Sequence, residues 1–380
     1  MNFDPTPEQS AFRAGVRAAL REHVAPHAER WDREAHFPAE ALPAFAALGA
    51  TGVYIPAADG GRGLDTVAYA LAIEEIASVL PALAIVLSVN NSLVANPIAR
   101  FGTPEQKQAF LGPVARGETL GAFALTEAEA GSDATRIAAR AVRDGSGYVL
   151  DAEKVMVTNG GPAGLFLVTA ATEPEKLGRG LTAFLVPGDA PGVARGPRDA
   201  TLGLRSADVR PVRFERVRLG AEHRLGEENH GFAVVLEAIN AGRIGVGAQA
   251  VGIARGALER AVGYARRRRQ FGQAVCDIPM VQQTLGAMDA ELDAARLTVL
   301  YAAARRDRGE PIAYDAARAK LAASEMCVRA ASAAIQMHGG WGYLEATGVE
   351  RFYRDAKVTE LYEGTSELLR ILVSASLTRG

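Results

Sequence analysis

At 380 residues the chain exceeds the size at which a single hydrophobic core usually keeps growing, so we expect two or three domains. Hydrophobic residues make up 48% and charged residues 23% of the sequence, which is ordinary for a globular protein and excludes a fibrous or disordered chain. The net charge of −2 provides no overall basic field, so we expect no nucleic-acid partner.

The sequence carries no feature typical of export or of a membrane protein. Its first eight residues lack a basic segment followed by an apolar one, which argues against a secretory signal. The most apolar stretch, residues 79–87, is much shorter than the roughly 20 residues that span a membrane, so we expect no membrane insertion. The only cysteines, Cys276 and Cys327, argue against a disulfide scaffold and a zinc site. We therefore predict a cytoplasmic protein without a metal.

The first third of the chain has helical periodicity. Thr6-Pro7-Glu8-Gln9 and Thr103-Pro104-Glu105-Gln106 each combine an N-cap, a proline at the first helical position and a capping-box glutamine. Apolar residues recur at helical spacing up to about residue 117. This pattern predicts an all-α domain over residues 1–119.

The middle of the chain changes to short apolar or alternating runs separated by turn residues. The runs at 121–125, 148–150, 165–169, 182–186 and 209–214 predict strands, because glycine, proline and aspartate mark the turns between them. This segment, residues 120–225, is predicted to be a small β domain, a barrel or a sandwich.

Helical periodicity returns over residues 226–380, in segments near 231–269, 279–307, 312–337 and 366–378. Long helices with short connections predict antiparallel neighbours in a four-helix bundle. Gly245-Val246-Gly247 could suggest a dinucleotide loop, but no strand precedes it, so close helix packing is the better interpretation. The fold class is therefore α+β, with an N-terminal all-α domain, a middle β domain and a C-terminal four-helix bundle.

Two segments of the β domain combine a strand with a small-residue turn. In the first, residues 123–133, Gly131 and Ser132 could direct N–H groups and a hydroxyl at a phosphate, although an ordinary turn has the same composition. The second, residues 154–161, ends in Asn159-Gly160 and could equally be an edge strand closed by a turn.

The third segment contains Glu363, between an aromatic residue and the start of the last helix. A carboxylate in apolar surroundings has a raised pKa, as a general base acting near neutral pH requires. Taken alone, an acidic residue favouring a helix dipole is the simpler interpretation. His338 stands alone between structural segments, which favours packing over catalysis.

In this order and at these separations, the segments resemble those of the acyl-CoA dehydrogenase family, and the resemblance covers nearly the whole chain. Its most specific part combines Tyr-Glu-Gly-Thr at 362–365, Arg-Asp-Ala-Lys at 354–357 and Arg-x-Gln-Phe-Gly at 268–272. The family fold has the same three parts as the organisation predicted above. The resemblance implies FAD between the β domain and the bundle, with part of its site supplied by a neighbouring subunit of a dimer or tetramer.

The resemblance also implies a role for each residue that matches a family motif. The residues along the flavin and its pyrophosphate are Phe123, Leu125, Thr126, Gly131, Ser132, Met156 and Thr158. Those that reach FAD of the partner subunit are Arg268, Phe271, Gln336 and Gly340, and those that hold FAD from the last helix are Thr365 and Glu367. The implied substrate contacts are Ser132, Asn240, Arg243, Tyr362 and Gly364.

The chain departs from the family pattern in three places. Ala128-Glu129 replaces a common Pro-Gly, which puts an acidic side chain near the pyrophosphate loop. Met156 stands where an aromatic residue, usually tryptophan, covers the flavin, and a thioether packs on a ring with less area. Pro279 occupies the place of a common glutamine, so that hydrogen bond is absent.

The implied reaction takes two hydrogens from an acyl-CoA. Glu363 removes the α proton while the β hydrogen leaves as hydride to flavin N5, which gives a trans-2-enoyl thioester. The backbone N–H of Glu363 and a ribityl hydroxyl of FAD stabilise the enolate. The reduced flavin then passes its electrons to an electron-transfer flavoprotein, as in fatty acid β-oxidation.

Missing subfamily signatures narrow the expected substrate. Subfamilies for branched or long chains place the base on the helix before Arg243, where this chain has Gly242. Glutaryl enzymes carry an arginine where this chain has the uncharged run 82–87. Residues 88–93 most resemble short-chain, butyryl-type enzymes, so we expect a short uncharged acyl chain and a homotetramer built as a dimer of dimers.

Three alternatives remain open at this point. Specificity could lie with medium or branched chains. An acyl-CoA oxidase is disfavoured because such chains are usually far longer. A non-catalytic helical scaffold is disfavoured because Glu363 and the flavin contacts are all present.

Overall fold

The structure, a computed structural model, describes residues 4–378. Its N-terminal part is helical, and the two predicted capping boxes are confirmed: the Thr6 and Thr103 hydroxyls accept the N–H groups of Gln9 and Gln106, whose side chains bond back. The helices are α1 Pro7–His23, α2 Ala28–Arg33, α3 Leu42–Ala47, α4 Thr66–Val79, α5 Pro81–Ser88, α6 Asn96–Phe101, α7 Pro104–Gln106 and α8 Gly112–Ala115.

A π-helical segment, Val89–Ala95, joins α5 to α6 and carries two buried asparagines. Asn90 Oδ1 accepts the Gly121 N–H at 2.8 Å, while its Nδ2 donates to Thr51 O at 2.8 Å. Asn91 binds Val53 N and Ala50 O in the same way. The Ser88–Leu93 motif thus connects the helical part to the first strand of the β domain.

The β domain is one sheet in the order β6-β7-β3-β2-β4-β5-β8, with β1 parallel to β4. Its strands are β1 Leu120–Ala124, β2 Arg140–Asp144, β3 Gly147–Thr158, β4 Ala163–Ala171, β5 Leu181–Pro187, β6 Val193–Arg195, β7 Val209–Leu219 and β8 Arg224–Leu225. β3 pairs with β2 through residues 147–151 and with β7 through residues up to Thr158. The segment that ends at Thr158 therefore has its ladder partner on the β7 side, and the structure does not contradict the edge-strand interpretation of it.

The C-terminal part starts with a helix of 37 residues and contains the predicted four-helix bundle, formed by α9, α10, α11 and α13. Its elements are α9 Gly231–Arg267, the hairpin β9 Arg269–Gln270 and β10 Gln273–Ala274, α10 Pro279–Asp307, α11 Ala313–His338, α12 Glu350–Lys357 and α13 Ser366–Thr378. A Cβ on Gly245 would lie 2.2 Å from the Tyr69 hydroxyl of α4. This glycine therefore serves close helix packing, as predicted, and the α+β fold of three parts is confirmed.

The N-terminal helices and the bundle share one hydrophobic core, whereas the inner face of the sheet has its own. A third cluster joins α6 and α8 to β4 and β5. Two helical stretches, Pro81–Phe101 and Gly231–Arg267, are long and apolar enough to cross a membrane by length and composition, but both are mostly buried inside the protein. Burial of this kind is typical of core helices, so the two stretches are weak evidence for a membrane span.

Candidate active site

A cavity of about 140 Å³ lies where α5, the ends of β1 and β3, α9 and the turn before α13 meet. Its lining is mostly apolar, and Glu363 is the one charged residue in it. The lining residues are Ile85, Val89, Leu93, Phe123, Leu125, Thr126, Val155, Met156, Thr158, Ile239, Tyr362 and Glu363.

The turn that carries Glu363 has a strained backbone. Glu363 has φ 53° and Gly364 has φ 104°, a region that residues with a Cβ seldom adopt. Arg243 on α9 donates from Nε to Glu363 O at 3.1 Å, and Lys320 on α11 donates from Nζ to Gly364 O at 2.8 Å. The Tyr362 hydroxyl donates to Gln249 Oε1 on α9. Side chains from two bundle helices therefore fix three consecutive residues.

One oxygen of the Glu363 carboxylate is shielded from water, although the residue as a whole is only half-buried. Its Oε2 atom is buried and has no hydrogen-bond partner within residues 4–378. Burial raises the pKa of this carboxyl to about 8, although the positive charges of Arg243 and Lys320 act to lower it. A Cβ on Gly242 would lie 2.3 Å from Oε2, so a glycine at this point of α9 provides the space for the carboxylate. The arrangement suits a general base that works near neutral pH.

The β domain supplies the opposite wall. Phe123 lies on β1, Leu125 and Thr126 follow it, and Met156 and Thr158 lie at the end of β3. Met156 has φ 54° at a point where the pairing of β3 with β7 is irregular, and this methionine is 63% exposed. The structure thus places these five predicted flavin residues beside one cavity, with the Met156 side chain at its open side.

A buried ion pair fixes the loop that follows this wall. Lys154 Nζ donates to Glu127 Oε1 at 2.7 Å and to Leu125 O at 2.9 Å, and the lysine is fully buried. Glu127 also accepts the N–H groups of Ala138 and Ala139. The pair therefore holds both ends of the loop 127–139 against β3.

Gly131 and Ser132 lie on this loop and are exposed, away from the cavity of Glu363. A Cβ on Gly131 would meet no atom within 4 Å, so the position is open to a ligand. Glu129, the unusual acidic residue, is also exposed. The predicted pyrophosphate contacts of this loop stay a prediction.

A second pocket, about 520 Å³, brings together three of the residues expected to reach a partner subunit. Arg268, Gln336 and Gly340 line it, whereas Phe271 projects from the adjoining hairpin and is 92% exposed. His338 stacks on Tyr264 with ring centroids 4.3 Å apart, which is the packing role expected of it. Within one chain this pocket is separate from the cavity of Glu363.

The remaining predicted residues lie around the turn. The Thr365 hydroxyl accepts the Leu368 N–H at 3.3 Å at the start of α13, and Glu367 is exposed in its first turn. Asn240 Oδ1 accepts Arg243 Nη1 at 3.2 Å, so Asn240 orients the arginine that binds the turn. Gly364 supplies the carbonyl that Lys320 binds.

Sequence reasoning missed Lys320 and Gln249, which both act on the turn. Lys320 lies on the stripe of Ala316, Ala319 and Ala323, all of them buried. An ionisable residue on an apolar helical stripe was the available signal, because lysine is rarely buried without a partner. Gln249 gave no comparable signal, since its contact with Tyr362 joins positions more than 100 residues apart.

Comparison with known proteins gives the family. The N-terminal, middle and C-terminal domains of acyl-CoA dehydrogenases match residues 6–118, 122–217 and 229–378. A probable acyl-CoA dehydrogenase of Bacillus subtilis, YngJ, is 41% identical over 380 residues, which is 100% of both chains. The solved butyryl-CoA dehydrogenase of Megasphaera elsdenii has a TM-score of 0.98 at 38% identity and covers 99% of this chain and 100% of its own.

A chain solved in work on the electron transferring flavoprotein of Acidaminococcus fermentans has a TM-score of 0.99 at 36% identity and covers 100% of both chains. The expected family, fold and enzyme class are thereby confirmed. The chain belongs to the acyl-CoA dehydrogenase family and is a flavin-dependent oxidoreductase.

Proposed function

We propose that the enzyme uses FAD to convert short, uncharged acyl-CoA thioesters of the butyryl type to trans-2-enoyl-CoA. The observation that carries the proposal is the Glu363 carboxylate, whose buried Oε2 has no hydrogen-bond partner among the described residues and borders a small apolar cavity. A buried carboxylate without a partner is costly, so a group that is kept in this state is expected to act on a ligand.

The residues around the cavity fit a flavin. Leu125, Thr126 and Thr158 form one wall, and the exposed Met156 offers an apolar surface for a ring. FAD, when bound, supplies the acceptor for the β hydrogen. The fit rests on this wall and on the partnerless carboxylate opposite it.

Glu363 would remove the α proton of the acyl chain. Its raised pKa makes the carboxylate a stronger base than an exposed glutamate, and the burial of Oε2 keeps water away from that oxygen. The backbone N–H of Glu363 makes no hydrogen bond within residues 4–378, so it is available to the thioester carbonyl. A donor aimed at the developing enolate oxygen stabilises the transition state.

The cavity favours a short acyl chain. Ile85, Val89, Leu93 and Ile239 give it an apolar lining without a cation that could bind a second carboxylate, which disfavours a glutaryl substrate. A cavity of about 150 Å³ holds benzene, that is about six carbon atoms. The volume of about 140 Å³, part of which borders the flavin wall, is therefore too small for a palmitoyl chain and favours a short one.

The proposal includes the physiological setting. Electrons would pass to an electron-transfer flavoprotein in fatty acid β-oxidation, in the cytoplasm, without nucleic-acid or membrane partners. The similarity to the chain from the Acidaminococcus fermentans study supports this acceptor. The surface pocket of Arg268 and Gln336, which shares no lining residue with the cavity of Glu363, supports a homotetramer in which a partner's FAD completes it.

A second carboxylate of α9, Glu237, precedes Arg243 on the helix that carries the base in other subfamilies, and it would be the alternative base. Glu237 accepts Asn96 Nδ2 at 3.2 Å, lies 3.7 Å from Arg306, and lines a different cleft. A carboxylate in this position has partners and does not border the cavity of Glu363. The geometry therefore favours Glu363 as the base.

One set of measurements tests the proposal. Protein that carries FAD should be yellow, and kcat/KM with an artificial acceptor should be highest for C4 among C4, C8 and C16 acyl-CoA. Glu363→Gln should keep FAD and slow anaerobic flavin reduction by butyryl-CoA on the order of 10² to 10⁴-fold, while dithionite still bleaches the flavin. An optimum at C16 would contradict the short-chain assignment, and colourless protein would favour the scaffold. Rapid reoxidation by O₂ but not by an electron-transfer flavoprotein would favour the oxidase.

A further inference from the structure

Lys320 is a buried cation whose role the reaction described above leaves open. It lies in the middle of α11, and its exposed fraction is 0%. Its Nζ donates to Gly364 O at 2.8 Å, which is the hydrogen bond that the ammonium makes within residues 4–378. Burial of an ammonium is unfavourable unless a hydrogen-bond partner compensates for the lost water. The contact with Gly364 O therefore indicates the function of Lys320.

The contact falls on the strained turn of the base. Glu363 and Gly364 both have positive φ, and such a backbone persists only where surrounding groups impose it. Arg243 binds the carbonyl of Glu363 from α9, and Lys320 binds the next carbonyl from α11. Two cations on two helices thus hold two consecutive peptide groups, and the removal of either leaves one carbonyl without its donor.

The charge of Lys320 also acts on the Glu363 carboxylate. Burial lowers the pKa of Lys320 to about 8, an effect that Glu363 opposes, and Lys320 acts in return to lower the raised pKa of Glu363. The other groups that act electrostatically on this pair are Arg243 on α9, Glu325 on α11, Glu360 in the turn before the base, and the tyrosines Tyr54, Tyr69 and Tyr362. Among them, Arg243 is the only other cation.

We propose that Lys320 is a positioning residue for this reaction: its ammonium holds the Gly364 carbonyl, so that the strained turn keeps Glu363 in place, and its charge favours the ionised base. The inference deepens the proposed function and rests on Glu363 as the base. Lys320 thus binds the turn of the base from α11, as Arg243 binds it from α9.

The test compares the parent enzyme with Lys320→Met, which keeps an unbranched apolar stem and removes the ammonium, and with it the charge and the donor. Anaerobic flavin reduction by butyryl-CoA is measured from pH 6 to 10, with the FAD content and Tm of each protein. The acid limb of the Met variant should move to higher pH by about one unit, so that its rate at pH 7 falls on the order of tenfold, because one pKa unit changes the ionised fraction tenfold. FAD content should stay at the parent's level.

Two further variants complete the experiment. Arg329→Met removes an exposed cation of the same helix, which pairs with Glu291 at 2.6 Å, and should keep the parent's pH profile. Lys320→Arg keeps the charge, so the midpoint of its acid limb should lie at or below the parent's. If the Met variant does not fold, the Arg variant by itself tests the inference.

The outcomes separate this inference from the proposed function. A Met variant that follows the parent's profile, or an Arg variant whose limb moves to higher pH, would overturn the role of Lys320 and leave the dehydrogenase intact. A parent enzyme that butyryl-CoA fails to reduce at any pH, or a Glu363→Gln variant as fast as the parent, would overturn the proposed function and with it the role of Lys320.

Discussion

Gly242→Ala is the sharpest test of the position of the base. The new Cβ would lie 2.3 Å from Oε2 and 2.7 Å from Cδ of Glu363. Non-bonded carbon atoms pack at about 3.5–4.0 Å, so the carboxylate must move by about 1 Å. A misplacement of about 1 Å can cost on the order of 10² in rate. We therefore expect flavin reduction by butyryl-CoA to slow by about that factor.

The same substitution should leave the fold intact, because the obstructing atoms are the far end of a side chain that can rotate away. Alanine also favours a helix over glycine by roughly 0.5–1 kcal/mol. The matched control is Gly263→Ala on the same helix, where the new Cβ would meet only Arg267 Nη1 at 3.6 Å. Anaerobic single-turnover reduction and Tm are measured for both variants. If Gly242→Ala reduces its flavin within about threefold of the control, the carboxylate does not lie beside Gly242 in the working enzyme.

The remaining predictions concern the pH profile, the flavin contact and the loop beside it. Because the pKa of Glu363 is raised to about 8 and the base must be ionised, flavin reduction should rise with pH, reach half of its plateau near pH 8 and level off roughly one pH unit higher; a flat profile from pH 6 to 9 would contradict this. Met156→Trp should be accepted and should quench flavin fluorescence, whereas unchanged fluorescence at full FAD occupancy would show that Met156 lies elsewhere. Lys154→Met leaves Glu127 as an unpaired buried charge and should lower the free energy of unfolding by about 3–5 kcal/mol. Chemical denaturation checks this against Lys176→Met, which removes an exposed ion pair and should cost about 0–1 kcal/mol.

The fold could be predicted from the sequence where local signals were strong. The capping boxes at Thr6 and Thr103 and the long bundle helices depend on residues a few positions apart, and the structure confirms them. The pairing of β3 with β7 could not be predicted, because the first residue of β7, Val209, is about 50 positions later. Sheet order is set by contacts between distant segments, and a single strand pattern does not contain it.

The site was harder to predict for the same reason. From its neighbours in the sequence, Glu363 was expected to stabilise the dipole of the last helix, and only the family resemblance suggested that it is a base. The raised pKa depends on the burial that α9 and α11 impose and on the space left by Gly242, about 120 residues away. Lys320 and Gln249 were missed because their contacts, too, join distant segments.

The contact between Gly242 and Glu363 gives a physical reason for a difference between subfamilies. The resemblance implied that enzymes for branched or long chains carry the base on the helix before Arg243, and any side chain at position 242 of this fold would enter the space of the Glu363 carboxylate. One small volume therefore receives a carboxylate from either the helix or the turn, and it cannot hold both. Here the turn supplies it at the cost of a strained backbone, roughly 1–3 kcal/mol for such a residue, and the cations of α9 and α11 that bind the turn offset that strain. A base on the turn has one advantage that a base on the helix lacks: the same residue also presents a backbone N–H free of hydrogen bonds within residues 4–378.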